Sequence, residues 1–324
     1  MPATSAPTLD DVRRAARVIE AHLHRTPLLS SRNLSELSGY QLSFKCENLQ
    51  RTGSFKPRGA INRIATLDAT SLARGVITIS AGNHAQGVAF AAARLGTNAV
   101  IVMPESAVAS KVAATRGYGA ECVLHGDVHA AFTKLGELQK SRNLTLIHPF
   151  DDPLLIAGHG TVGLEIAEAA APFDAVVVGI GGGGLISGVA TALRALAPDT
   201  RIYGVEPQGA ATMGAALAAG EVVRLERLDT IADGLAPPFV GALNLEIVRD
   251  LVDEVVTVSD AEIVAAMRLL LERVKLLVEP AGAAGLAALL AGRLPIEPGC
   301  RVAIVLSGGN VDLRRLPEML CATE

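Results

Sequence analysis

Ser54-Phe55-Lys56-Pro57-Arg58-Gly59-Ala60 sets one lysine between an aromatic residue and a proline. Proline holds the residue before it in extended or turn backbone. Proline itself suits the first turn of a helix, where its missing N–H costs nothing. Lys56 is therefore expected at a strand-to-helix junction, where many sites of α/β proteins lie. The chain has six lysines against twenty-three arginines. A buried amine can lose its proton and a guanidinium cannot. A lysine here suits chemistry in which an amine condenses with a carbonyl, the basis of pyridoxal phosphate (PLP) reactions. The same stretch also reads as a surface cation at a helix start.

Outward from this stretch, apolar runs at 76–80, 99–103, 121–124, 145–148, 175–179, 202–206 and 301–306 alternate with helical patterns. The helical patterns include 83–95, 129–139, 160–169 and 185–196. Such alternation predicts an α/β fold with mostly parallel sheets flanked by helices on both faces. Thr8 and Asp11 open a helix with Leu9, Val12, Ala16, Ile19 and Leu23 on one face, expected to run to Pro27. His22 and His24 near its end read as structural. Ser259-Asp260-Ala261-Glu262 is a capping box for a helix expected to reach about Val278.

Half of the 324 residues are hydrophobic, 19% are charged, and the net charge is −4. A large core is affordable, and no basic cluster invites a nucleic acid or a membrane surface. The chain has 32 glycines and no tryptophan, a poor composition for stacking on bases. Cys46, Cys122, Cys300 and Cys321 are far apart with no CxxC pair, as in a cytoplasmic protein with reduced thiols. Residues 1–7 do not read as a signal peptide, and no apolar stretch is long enough to span a bilayer.

Three glycine-bearing loops follow these runs. Gly181-Gly182-Gly183-Gly184 sits between an apolar run and a helix, where backbone N–H groups and the helix dipole favour a phosphate. Gly179, Gly181 and Gly184 also fit GxGxxG, with Glu206 roughly 20 residues on, so an NAD-dependent oxidoreductase is the reading from another class. Its position past the middle of the chain counts against it. Ser80-Ala81-Gly82-Asn83-His84 can bind a carboxylate or a ring oxygen, or form a turn with Asn as helix cap. Ser307-Gly308-Gly309-Asn310 offers a hydroxyl to a ring nitrogen, or is a turn. Glu279, before Pro280, is a functional carboxylate or a helix-terminal acid. Jointly these segments can hold a phosphorylated aromatic aldehyde in one cleft lined by several strand ends.

The segments at 45–60 (KCENLQRTGSFKPRGA), 80–89 (SAGNHAQGVA), 181–188 (GGGGLISG), 231–234 (IADG), 279–285 (EPAGAAG) and 307–310 (SGGN) occur in the order of a known family. The chain resembles the threonine/serine dehydratase and serine racemase family, fold type II (β-family) PLP enzymes. It is most similar to threonine dehydratases that lack a regulatory domain. The resemblance implies that Lys56 bonds covalently to PLP and then acts as acid–base at the substrate α-carbon. Phe55 packs beside the ring, Asn83 hydrogen-bonds the ring 3-oxygen, and Gly181, Gly182, Gly183, Gly184 and Leu185 bind the phosphate. Ser307 contacts the pyridine nitrogen, and Gly234 and Glu279 line the ring pocket. Ser80, Ala81, Gly82, Asn83 and His84 hold the substrate carboxylate. A neutral hydroxyl at Ser307 makes the ring a weaker electron sink, which suits prompt loss of a β-leaving group. The phosphate is the proton donor that the resemblance suggests for the departing hydroxyl.

Two positions depart from the family pattern. Racemases carry a serine where this chain has Ala81, so weak or absent racemisation is expected. The family's divalent-cation site pairs an acid at Glu206 with a second six residues on, where this chain has Thr212. A single carboxylate is a poor hard-cation site, and no metal is assigned. The chain ends soon after Asp312, so feedback control by isoleucine through a C-terminal domain is not expected.

The resulting expectation is a large PLP-binding domain of residues 1–67 and 151–324, with a small domain of 68–150. The reaction is α,β-elimination from a β-hydroxy-L-amino acid, L-threonine or L-serine, to a 2-oxo acid and ammonia. Alternatives within the class are a dehydratase for phenylserine or 3-hydroxyaspartate, and a serine racemase. The resemblance also implies a cytoplasmic homodimer. The His129 region and the turn Ala236–Phe239 are candidates for contact with the β-substituent.

Overall fold

The computed structural model describes residues 5–321. Among them, ten strands make two separate sheets. The strands are β1 (Leu28–Ser30), β2 (Gln41–Cys46), β3 (Val76–Ile79), β4 (Ala99–Met103), β5 (Glu121–Leu124), β6 (Thr145–Leu146), β7 (Ala175–Gly179), β8 (Arg201–Pro207), β9 (Glu254–Val258) and β10 (Arg301–Leu306). The larger sheet runs β1-β2-β10-β7-β8-β9 and the smaller runs β5-β4-β3-β6. Every pairing is parallel except β1 with β2.

The central apolar runs are strands because both faces of each are covered. Successive side chains of a strand point to opposite faces, and β7 feeds two cores. Ala175 and Val177 join Phe44, Val302 and Ile304 on one side. Val176 and Val178 join Ala303 and Val305 on the other. The smaller sheet does the same, with Ile101 and Met103 on one face and Val100 and Val102 on the other.

Several elements differ from the sequence expectation. The first helix is Leu9–Ile19, with the Thr8–Asp11 capping box in place, and it stops well before Pro27. Gln50 takes both the N–H and the C=O of His24, which holds that residue out of the helical ladder. The helix opened by Ser259 is Asp260–Leu269, not a run to Val278. A π-turn, Leu270–Val274, follows it, and Lys275 adopts left-handed backbone at φ 64°. Strands β1, β2 and β9 lacked the fully apolar signature. In β2 the reason is Lys45, a buried lysine whose partner Glu165 comes from a distant helix. His148 lies past β6, where its Nδ1 accepts from the N–H groups of Phe150 and Asp151. Cys46, Cys122 and Cys300 are free thiols, and burial pushes the Cys46 thiol up to about 12. The side chain of Cys321 lies outside the described residues. No helix among the described residues is long and apolar enough to cross a membrane.

Candidate active site

Lys56 opens the helix Lys56–Ala65, with Pro57 in its first turn. An isolated β-bridge between Ser54 and Gly308 ties the preceding chain to the segment after β10. Three glycine contacts lock this helix start. A Cβ on Gly87 would lie 2.9 Å from the Cβ of Lys56, and one on Gly158 would lie 2.4 Å from the Arg58 carbonyl oxygen. A Cβ on Gly59 would lie 2.5 Å from Nε2 of His159. Only glycine permits such close backbone approach. Lys56 is half-buried, and Nζ donates to the Pro149 carbonyl at 2.9 Å. Desolvation lowers its pKa to about 8, against the opposing pull of Glu279. A fraction of the amine is therefore neutral near physiological pH and can attack a carbonyl.

The glycine run lies between β7 and the helix Gly184–Leu196. No side chain caps this helix, and Gly183 precedes it at φ 95°. The first N–H groups of a helix have no intrahelical partner, so this start presents free donors and a positive dipole end. Packing also demands the glycines. A Cβ on Gly182 would meet the Phe150 ring at 2.2 Å, and one on Gly183 would meet the Cβ of Asn244 at 2.7 Å. Asn244 braces the loop by donating from Nδ2 to the carbonyls of Phe150 and Gly182.

The remaining expected residues converge on the same region. The Phe55 N–H donates to the carbonyl of Ser307, which is buried. Phe55 meets the ring of His159 edge-on, with centroids 4.7 Å apart. Glu279 is buried and accepts from Asn83 Nδ2 at 2.5 Å. Burial raises the Glu279 carboxyl to about 7, against the Asn83 hydrogen bond and the Lys111 charge, which lower it. Gly234 lies against Ala281 and within 4.0 Å of the Glu279 carboxylate, measured from a built Cβ. The loop Ser80–Gly82 ends β3 and leads into the helix Asn83–Arg94. Ser80 Oγ accepts from the Gly82 N–H at 3.1 Å. His84 turns inward, with Nε2 3.1 Å from Thr78 Oγ1.

Glu206 is not available to a ribose hydroxyl. It is fully buried, and its two oxygens accept from the N–H groups of Met213 at 2.6 Å and Gly214 at 2.8 Å. It caps the helix Thr212–Ala219 and overturns the dinucleotide reading of Gly179–Glu206. Among the described residues no group of three or more His, Cys, Asp or Glu side chains is placed to hold a metal ion.

Sequence reasoning missed a buried ionic network beneath Lys56. Arg58 donates through Nε to Glu47 at 2.7 Å and through Nη1 to Glu165 at 2.6 Å. Lys45 donates to Glu165 at 2.5 Å and to the Thr26 carbonyl at 2.7 Å. Burial opposes the charge on Arg58, but Glu47 and Glu165 overcome it and raise its pKa. The only available signal was Glu47 and Arg58 flanking the lysine motif. Glu165 gave none.

The arrangement offers an amine for an aldehyde, an uncapped helix start for an anion, a half-buried amide, and buried carboxyl and hydroxyl groups. Comparison with known proteins agrees with this chemistry. The family model described as pyridoxal-phosphate dependent enzyme matches residues 19–308. L-threonine ammonia-lyase of Thermotoga maritima is 45% identical over 97% of this chain and 78% of its own length. L-threo-3-hydroxyaspartate ammonia-lyase of a Pseudomonas species is 44% identical over 96% of this chain and 97% of its own. The structure of maize serine racemase superposes with a TM-score of 0.93 at 41% identity, covering 98% of both chains. The chain belongs to the family of pyridoxal-phosphate dependent enzymes.

Proposed function

We propose that this enzyme removes the β-hydroxyl and the amino group of a β-hydroxy-L-amino acid, with L-threonine and L-serine as its principal substrates. The products are a 2-oxo acid and ammonia. The observation that carries the reading is the pairing of Lys56, an amine near pKa 8, with the uncapped glycine loop. These residues fit a phosphorylated aldehyde. Lys56 would hold its carbonyl carbon, and Gly181 to Leu185 would hold its phosphate. Phe55, Gly234 and Glu279 would flank the ring, with Asn83 at its 3-oxygen and Ser307 at its nitrogen.

When bound, PLP withdraws electrons from the substrate α-carbon. Ser80 to His84 orient the substrate carboxylate through backbone N–H groups and the start of the helix Asn83–Arg94. Lys56, its amine freed when the substrate's amino group replaces it at the aldehyde carbon, would take the proton from the α-carbon. The C–O bond at the β-carbon breaks, and the hydroxyl leaves with a proton as water. Water is regained when the C–N bond is hydrolysed and ammonia leaves. Ala81 has no proton to give from the opposite face, which favours elimination over racemisation. The same reading places the site between a large domain (1–67 and 151–324) and a small one (68–150). Pro149 and Asn83 then belong to the small domain, and Lys56 and the glycine loop to the large. A cytoplasmic homodimer is also part of it, checked by sedimentation of the purified holoenzyme.

The test is 2-oxo acid release from L-threonine, L-serine, L-threo-3-hydroxyaspartate and L-threo-phenylserine, with Lys56→Ala as control. Fast release from threonine or serine, abolished in the control, is expected. Fast release only from hydroxyaspartate or phenylserine would keep the elimination and overturn the substrate assignment. Racemisation of L-serine at a rate similar to elimination would overturn the role given to Ala81.

A further inference from the structure

The hydrogen bonds around Asn83 form a chain whose direction is set at both ends, by the Asn310 amide and by the Glu279 carboxylate. Asn310 Nδ2 donates to the Thr52 carbonyl at 2.7 Å and to Asn83 Oδ1 at 2.8 Å. A side-chain amide has two N–H hydrogens and one oxygen. Both hydrogens of Asn310 thus point at acceptors. A flipped Asn310 would aim its oxygen at the Thr52 carbonyl, so the flip is closed to it. Asn83 Oδ1 is in turn fixed toward Asn310, which leaves Asn83 Nδ2 facing the Glu279 carboxylate. One hydrogen of that nitrogen goes to Glu279 and the second is left for another acceptor.

The backbone that supplies the Thr52 carbonyl is itself strained. Thr52 sits at φ 63°, left-handed for a β-branched residue, and Gly53 follows at φ 70°. A Cβ on Gly53 would lie 2.6 Å from Asn310 Oδ1, so the turn leaves room for this amide and nothing larger. The Gly309 N–H donates to the Gly53 carbonyl at 2.9 Å and holds the loop after β10 in register with the turn. Strain of this kind persists where the surroundings over-determine it, and it gathers at functional sites.

We propose that Asn310 is a positioning residue that locks the Asn83 amide so that its N–H donor, not its carbonyl oxygen, faces the cofactor. This rests on the proposed role of Asn83 at the ring 3-oxygen. Without the lock, the Asn83 carbonyl can rotate into the site, where it would confront an oxygen with an oxygen.

Asn310→Asp tests it, because the side chain keeps its shape while both donors become acceptors. The readouts are the dissociation constant for PLP added to apoprotein and the position of the visible absorption band of bound PLP. Asn310→Asp should weaken PLP by about tenfold and shift the band, the scale of one lost hydrogen bond. Asn310→Ala, which removes the lock without repulsion, should move both in the same direction by less. In an Asn83→Ala background, Asn310→Asp should change neither by more than about twofold, because the residue it acts through is gone. The thermal midpoint of each apoprotein reports any loss of fold. Unchanged affinity and band in Asn310→Asp, with Asn83→Ala altered, would overturn the lock alone. So would an equal loss in the Asn83→Ala background. Unchanged affinity and band in Asn83→Ala would overturn both the lock and the role of Asn83.

Discussion

Two helices begin at the carboxyl ends of neighbouring parallel strands, one after β7 and one after β8, and they treat their first N–H groups in opposite ways. The helix Gly184–Leu196 has four glycines before or at its start and no side-chain cap. The helix Thr212–Ala219 has a buried carboxylate, Glu206, bonded to the N–H groups of Met213 and Gly214. Topology alone makes both into anion sites. The second is already filled from within the chain, so only the first is open to a ligand. The difference separates a candidate phosphate loop from its look-alike within one sheet. A third start, at Lys56, is neither open nor self-capped, and is held from below by Arg58 and its two carboxylates.

The largest effect is expected at that third start. Arg58→Ala leaves Glu47 buried without its partner. Breaking a buried ion pair from one side costs about 3–5 kcal/mol, read by denaturant unfolding of the apoprotein. A loss under about 1 kcal/mol would mean that glycine packing alone fixes the helix start, and that the network is incidental to Lys56.

Next is the open start. Gly182→Ala drives a Cβ into the Phe150 ring. Overpacking of this kind costs about 1–3 kcal/mol. If that strain falls on the loop, PLP affinity drops by about tenfold or more. Titration of apoprotein with PLP measures it. Unchanged affinity would show that the phosphate is held elsewhere, and the contrast between the two helix starts would lose its meaning.

These cases show what the sequence can and cannot disclose. The glycine loop, the lysine motif and the Asn and Ser loops stood out as candidates because the proposed chemistry needs particular residue types at fixed spacing. Strands β3 and β4 of the smaller sheet and the centre of the larger were legible because both their faces are apolar. Strand β2 was not, since Lys45 reads as a surface residue until Glu165 is seen 120 positions away. The end of the helix after Ser259 was not, since no glycine or proline marks the left-handed Lys275. Glu206 carried the wrong message. Its position fits a ribose acid, and only the turn that brings Met213 and Gly214 back to it reveals a cap. Asn310 read as a turn residue because its partners, Thr52 and Asn83, are far away in the chain.

The self-capped start should respond in stability and not in cofactor binding. Glu206→Ala strands the buried Met213 N–H and the half-buried Gly214 N–H at a cost of about 2 kcal/mol, with PLP affinity unchanged. The pH dependence has a definite sign. Burial raises the Glu206 carboxyl to about 7 from an ordinary value of 4.5, against the backbone N–H groups that lower it. The folded state thus holds this proton more tightly than the unfolded state. The contribution of Glu206 is fullest below about pH 4.5 and is lost as pH rises through 7. The difference in stability between Glu206→Ala and the unaltered protein should therefore be larger at pH 5 than at pH 8. A difference that grows with pH would mean that the carboxylate form is the better cap. The comparison would then rest on charge and not on hydrogen bonding alone.

The smallest effect belongs to the helix start at Ser259. Ser259 caps the helix Asp260–Leu269 through a reciprocal pair with Glu262, and the residue is only half-buried. Its loss can be repaired by water, unlike the loss of Glu206. Ser259→Ala should cost about 1 kcal/mol, a fall of about 2 °C in Tm, and should leave PLP affinity untouched. If the cost equalled that of Glu206→Ala, burial would not be what distinguishes the two caps, and helix geometry alone would set their worth. The expected ranking, Glu206 above Ser259, follows from a donor in the core having no second partner to turn to. The same reasoning explains why the start at Gly184 can be open. No side chain caps its donors, so a ligand can do for them what Glu206 does for Met213 and Gly214.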